Sequence, residues 1–246
     1  MLKSISCALA VMAMLASSAM AQSIGVHFPS NRDNAMLAAD EVAGVVSQGN
    51  WNSSDGGADA AANANGSIAG AKDSNGDATT ANVEWTSNGT WNTTNGMDTA
   101  DAKLMNGYID AVGADGFATI SVSDIPYSQY DAIVYFGSDG NGRTGQITDG
   151  TTTYGYSTFS NDPNGGGGFD AGSDYIQTME TGDGRPESNY AVFSDLSDSS
   201  FSVEVIRGSN NSGFHGIQIV NTVPEPSSMV LAALGLLSLV RLRRRR

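Results

Sequence analysis

NYAVFSDLSDSSFSVEVIRGSNNSGFHGIQIV, residues 189–220, is the stretch whose reading decides the fold. It holds three runs rich in Val, Ile, Phe and Tyr: Asn189–Ser194, Phe201–Arg207 and Gly216–Val220. Ser, Asp, Asn and Gly separate them, the residues that favour turns. Phe201, Val203 and Val205 alternate with Ser202 and Glu204, the period-two signature of a half-buried strand. Working upstream, Tyr130–Phe136 (YDAIVYF) is almost continuously apolar and suits a central strand covered on both faces. Phe117–Val122, Thr151–Ser157 and Tyr175–Met179 read as further strands.

The first half of the body is less regular. Ser23–Phe28 (SIGVHF) reads as a first strand. Asn34–Val46 is Ala-rich and reads as a helical turn leading into an extended Ala43–Val46. Between Gln48 and Gly96 the chain is mostly Asn, Ser, Thr, Gly, Asp and Ala, with strands expected near Ser67–Ala71 and Ala81–Thr86. Asp101–Asp110 places Leu104, Met105 and Tyr108 at helical spacing and predicts a short helix or turn over one end of the sheets. Asn164–Phe169 (NGGGGF) reads as a loop, because four glycines carry too much chain entropy for a strand. Many short strands, long turns and little helix predict an all-β, two-sheet jelly-roll sandwich over residues 22–222.

Both ends of the chain differ from this body. Residues 1–21 have Lys3, then an apolar stretch from Cys7 to Leu15. Ala19-Met20-Ala21 follows as a small-x-small site for signal peptidase. Residues 223–246 read VPEPSSMVLAALGLLSLVRLRRRR. The apolar run from Met229 to Val240 is shorter than the roughly 20 residues of an ordinary membrane span, and the arginines after it mark a cytoplasmic flank. Pro224-Glu225-Pro226, a short hydrophobic helix and a terminal arginine cluster, in that order, resemble the PEP-CTERM sorting signal. The resemblance implies export in a Gram-negative bacterium and a transient inner-membrane anchor. It also implies an exosortase-like membrane protease as partner, and a final place at the cell surface or in the extracellular matrix. The closing strands from Asn189 to Val220 are similar to those of galactose-binding-like domains. This second resemblance implies a jelly roll that often binds carbohydrate and often holds structural calcium.

Charge narrows the partners of the body. Residues 22–222 contain six basic and 25 acidic residues, a formal charge of −19. Such a surface repels nucleic acid and anionic lipid. The one cysteine, Cys7, lies in the signal segment, so the mature body has neither disulfide nor thiol chemistry.

Few residues suggest chemistry. Asp73, Asn75 and Asp77, with Glu84 eleven positions after Asp73, approximate a calcium loop, whose hard cation wants six to eight oxygens. Ala78 stands where the turn glycine belongs and no helices flank the segment, so an ordinary Asx-rich turn is the favoured reading of the same residues. Asp139, Asn141, Asp149, Asp162, Asn164, Asp170 and Asp174 offer further loop oxygens. Trp51, Trp85 and Trp91 lie among Asn, Asp and Thr, the mixture that stacks sugar rings and bonds their hydroxyls; the alternative places them as core anchors. Tyr154, Tyr156 and Phe159 flank the glycine loop. His27 and His215 are the only histidines, on the expected first and last strands. No G-x-S-x-G or H-E-x-x-H motif is present. The expectation is a non-catalytic surface or matrix protein. A carbohydrate-binding module for exopolysaccharide is the alternative, and a glycan-processing enzyme with two carboxylates in a cleft is the third reading.

Overall fold

The computed structural model describes residues 21–29, 36–54, 64–93, 98–112, 116–159, 175–208 and 211–222. Gln22–Val223 forms one compact unit. The expected glycine loop at Asn164–Phe169, and Asp162, Asp170 and Asp174, lie outside the described residues, as do Ala19 and the segment with Pro224, Glu225 and Pro226.

In chain order the elements are Ser23–His27 (β1), Asn52–Ser53 (β2), Asn65–Ile68 (β3), Asn82–Ser87 (β4) and Gly89–Asn92 (β5). The helix Ala100–Leu104 (α1) follows, then Gly107–Asp110 (β6), Ala118–Ser123 (β7), Tyr130–Gly137 (β8) and Thr144–Thr148 (β9). Thr153–Ser157 (β10), Tyr190–Leu196 (β11), Phe201–Arg207 (β12) and Gly213–Asn221 (β13) complete the set. They make two sheets. The first runs β11-β8-β13-β1-β2, with β6 beside β13 and β5 beside β6. The second runs β10-β9-β12-β7-β4-β3.

From β6 onward successive strands change sheet at every step except the β9–β10 hairpin. The resulting orders, β6-β13-β8-β11 and β7-β12-β9-β10, are those of an eight-stranded jelly roll. The expected sandwich is therefore present, widened by β1, β2 and β5 on one sheet and β3 and β4 on the other.

Alternation explains the second sheet. Val83 and Trp85 on β4, Ala118, Ile120 and Val122 on β7, and Phe201, Val203 and Val205 on β12 are buried. Glu84, Ser121 and Glu204 between them are exposed. The inward residues meet Ile24, Val26, Phe28, Val134, Phe136, Ile217 and Ile219 of the first sheet in one core.

The first sheet is covered on its other side too. Leu37, Ala43, Trp51, Leu104 and Met105 pack over Ile133, Tyr135 and Val220. This second layer explains why β1, β8 and β13 are buried along nearly their whole length.

β13 is the strand on which the first sheet is built. One edge pairs with β8 from Gly213 to Asn221. The other edge is shared, by β6 at Gly213 and Phe214 and by β1 from Gly216 to Val220. A bulge between Phe214 and Gly216 lets the strand serve both partners. Gly213 is required at the crowded end, since a Cβ there would lie 1.8 Å from the Ile109 carbonyl oxygen. Because β1 and β13 run antiparallel, the two ends of the body meet, with Asn221 N donating to Gln22 O at 2.9 Å.

Several expectations are corrected. The described part of Asn34–Val46 holds no helix, and Ala43–Val46 is not extended. Ala43 and Gln48 exchange both backbone bonds, at 3.0 and 3.1 Å, around a tight turn with Gly44 at φ +97°. The predicted helix ends at Leu104, capped at its start by Thr99, and Tyr108 already stands on β6. Tyr175–Met179 is not a ladder strand but part of a strap that joins the two sheets at their open edges. Thr178 N donates to Tyr190 O at 2.9 Å and Thr178 Oγ1 to Gly155 O at 2.6 Å. Gly155 N donates in turn to Glu180 O at 2.8 Å. The strap covers edges that would otherwise template pairing with another chain. β9 was not expected at all, because Gly145 occupies an inward position. A Cβ at Gly145 would meet the Tyr156 hydroxyl at 2.6 Å.

The second layer is held by a buried polar network. Ser23 Oγ and Gln218 Nε2 both donate to Gln48 Oε1 at 2.9 Å. Gln218 Nε2 also reaches Val46 O at 2.9 Å. The Tyr135 hydroxyl donates to Gln218 Oε1 and accepts from Val45 N at 2.8 Å. Tyr135→Phe leaves an amide oxygen and a backbone N–H without this partner. The substitution is expected to destabilise the body by about 1–3 kcal/mol, read as a lower urea midpoint at unchanged m-value.

Candidate functional site

The tryptophans do not form a binding face together. Trp85 lies in the inter-sheet core, edge-on to Phe28 with ring centroids 5.4 Å apart, and is 5% exposed. Trp51 lies in the outer layer, edge-on to Tyr135 at 6.2 Å, its Nε1 donating to Gln48 O at 2.9 Å. Both are core anchors, so the expected stacking role is corrected for these two. Trp91 is half-buried on β5, opposite Tyr108.

The calcium loop is also corrected. Asp73 is buried and already uses both oxygens. Oδ1 accepts from Asn75 N at 2.8 Å and Asp77 N at 3.0 Å, and Oδ2 accepts from Gln22 Nε2 at 2.6 Å. The Asn75 and Asp77 side chains are exposed. Glu84 stands apart on the outer face of the second sheet, between Ser67 and Ser121. The segment is an Asx turn that knits the start of β1 to the loop. Among the described residues no three of Asp, Glu, His and Cys gather as a metal cluster.

His27 and His215 stand on the paired strands β1 and β13, and both are fully buried. His215 Nδ1 donates to Gly107 O at 2.8 Å, and its ring lies edge-on to Tyr108 with centroids 5.4 Å apart. His27 Nδ1 pairs with Ser53 Oγ at 3.3 Å. Burial lowers the His27 pKa to about 3, which the nearby Lys103 carbonyl offsets only in part and to which His215 adds; burial lowers His215 to about 4. Neutral rings sealed from water are structural parts, not acid–base catalysts.

Among the described residues one open cleft, of about 540 Å³, lies at the end of the sandwich where the body's two chain ends meet. It lies between the β9–β10 turn and the β11–β12 turn. Tyr130, Tyr154, Phe193 and Phe201 supply its aromatic lining. Phe193 joins two of them, edge-on to Tyr154 at 5.2 Å and tilted against Phe201 at 5.4 Å. Tyr130, Phe193 and Phe201 are buried, while Tyr154 is half-buried. The Tyr154 hydroxyl donates to Val192 O at 3.1 Å, which fixes the ring. Burial, then the Asp149 charge, raises its pKa, so it stays a neutral phenol.

The rims are ordered by their own hydrogen bonds. Asp149 Oδ1 accepts from Thr151 N at 2.8 Å and Thr152 N at 2.6 Å, and Gly150 sits at φ +89° to complete the turn. On the facing rim the Tyr130 hydroxyl donates to Asp198 O at 3.0 Å and Ser200 O at 3.3 Å. Asp149, Asp198, Thr151, Thr152, Ser194 and Ser200 then present oxygens around the aromatic lining. Tyr154 and Asp149 were visible as candidates in the sequence. Asp198 was not, because only the pairing of β11 and β12 with other strands brings its turn opposite Asp149.

With this geometry in hand, comparison with known proteins adds one finding. Residues 222–246 match the PEP-CTERM protein-sorting motif. No curated protein matches the chain. The motif makes this an exported protein, sorted by an exosortase-type membrane enzyme to the cell surface of a Gram-negative bacterium. Among the described residues no helix is long and apolar enough to cross a membrane.

The buried histidines give a pH signature. Their folded pKa values lie below the ordinary 6.5, so between pH 6.5 and about 4 the unfolded chain binds more protons than the folded one. Stability is therefore expected to fall as pH drops from 7 to 5, by roughly 2 kcal/mol for each histidine. Urea midpoints across this range check it, and His215→Asn should flatten about half of the slope.

Proposed function

We propose that the body is a non-catalytic component of the extracellular matrix that holds exopolysaccharide in the cleft beside Tyr154. The lining of that cleft carries the reading. Sugar rings offer apolar C–H faces to flat side chains and hydroxyls to carboxylates and alcohols. Tyr154, with Asp149, Asp198 and the Thr and Ser hydroxyls around it, meets both needs. The ordered rims favour binding, because little entropy is lost when a ligand enters a pre-formed site.

Two carboxylates in a cleft also belong to glycosidases, which keep one of them protonated by burial in apolar surroundings. Here Asp198 is exposed on a turn, and Asp149 Oδ1 accepts two backbone N–H bonds. Both surroundings suit holding a ligand better than donating a proton to one.

Delivery follows from the chain ends. Signal peptidase cuts after Ala21, and the apolar run holds the precursor in the inner membrane. The exosortase-type enzyme then acts at Pro224-Glu225-Pro226. Deleting residues 223–246 is expected to release the protein from the cell, and changing Pro224 or Glu225 to leave an uncut precursor on immunoblots. Normal maturation of those variants would falsify the route. For the body, a polysaccharide pull-down with residues 22–222 is expected to retain exopolysaccharide and yield no new reducing ends. Tyr154→Ala should weaken retention roughly tenfold, the size of one lost aromatic contact, and Trp91→Ala should leave it unchanged.

A further inference from the structure

Resting on the glycan-binding reading, we infer that the cleft selects sugars bearing a free, protonated amine, as in a partly deacetylated hexosamine polymer. Its lining contains Asp149 and Asp198 but neither lysine nor arginine. A uronate or sulfated sugar would enter beside two carboxylates with no compensating cation, and like charges brought together disfavour binding. An ammonium group meets the opposite situation.

The carboxylates are placed for that task. Asp149 is fixed by the two turn N–H groups on Oδ1, and among the described residues Oδ2 has no hydrogen-bond partner. Asp198 holds its turn through its backbone carbonyl, which accepts from Tyr130, and its carboxylate likewise has no partner among the described residues. The turn is held further by Ile125 N donating to Ser199 O at 3.0 Å and Asp195 N to Asp131 Oδ1 at 3.0 Å. Asp149 thus brings a held carboxylate with one uncommitted oxygen to one rim, and Asp198 an uncommitted, exposed carboxylate on an ordered turn to the other, beside a half-buried ring that takes the sugar face. A protonated amine donates charge-assisted bonds to such oxygens, stronger than those of a neutral hydroxyl or acetamide. The rest of the body reinforces the choice, since its charge of −19 over residues 22–222 draws polycations and repels polyanions.

Calorimetric titration of residues 22–222, a unit with its own core, tests the selection. Three ligands of equal length serve as probes: oligoglucosamine, its fully N-acetylated form and an oligouronate. The free-amine oligomer is expected to bind roughly tenfold tighter than the acetylated one, and the oligouronate not at all. Asp198→Asn should remove most of that preference while sparing the acetylated ligand, and Tyr154→Ala should weaken both. Glu204→Gln, the same charge change on the exposed face of β12, should alter neither. Equal binding of the free-amine and acetylated oligomers overturns the selection but leaves glycan binding intact. Equal losses from Glu204→Gln and Asp198→Asn also overturn it, by assigning the preference to bulk charge. If no oligosaccharide binds the unaltered body, the glycan-binding reading fails as well.

Discussion

β13 has no free side, and the architecture follows from satisfying it. Its backbone groups are paired along both edges, with β8 on one and with β6 and β1 on the other. Its residues from Gly213 to Val220 are buried. A strand enclosed in this way must bring its partners from distant parts of the chain, because unpaired buried N–H and C=O groups are costly. β1 comes from the start of the body, β6 from its middle and β8 from just beyond. The jelly-roll order is one arrangement that delivers them without crossing connections. Such non-local pairing loses loop entropy before its contacts form, so the fold is of the slowly assembling kind.

The outer layer shows how a sheet can be covered without a third sheet. Residues 36–51 and α1 form no extended ladder, so their backbone groups need other partners. They find some of them in the side chains of Gln218, Tyr135 and Asp101, the last accepting from Gly44 N at 2.8 Å. Lys103 and Glu41 are ion-paired across the same layer. Polar side chains inside the molecule thus do part of what a ladder does elsewhere.

Legibility in the sequence follows the same division. The second half was readable because β7, β8, β12 and β13 each bury side chains in a regular pattern, and hydrophobic period reports that directly. β9 was not, since a glycine stands where an apolar residue would have signalled the inward face. Ala43–Val46 misled because β-branched valines suggest extension, whereas Gly44 at positive φ and the Ala43–Gln48 pair turn the chain back. The tryptophans misled for a different reason. On β4 the polar neighbours Glu84 and Thr86 face away from Trp85 across the strand, so they are beside it in sequence but not in space. The cleft was half-legible: Tyr154 and Asp149 belong to one hairpin, but Asp198 reaches them only through long-range pairing.

The meeting of Gln22 and Asn221 has a mechanical consequence. Antiparallel neighbours whose free ends lie together are loaded in unzipping geometry, so a pull on both ends would break the β1–β13 bonds one after another. Resistance to force in sheets comes instead from shearing many bonds at once. A molecule tethered at one terminus alone never puts this seam under tension.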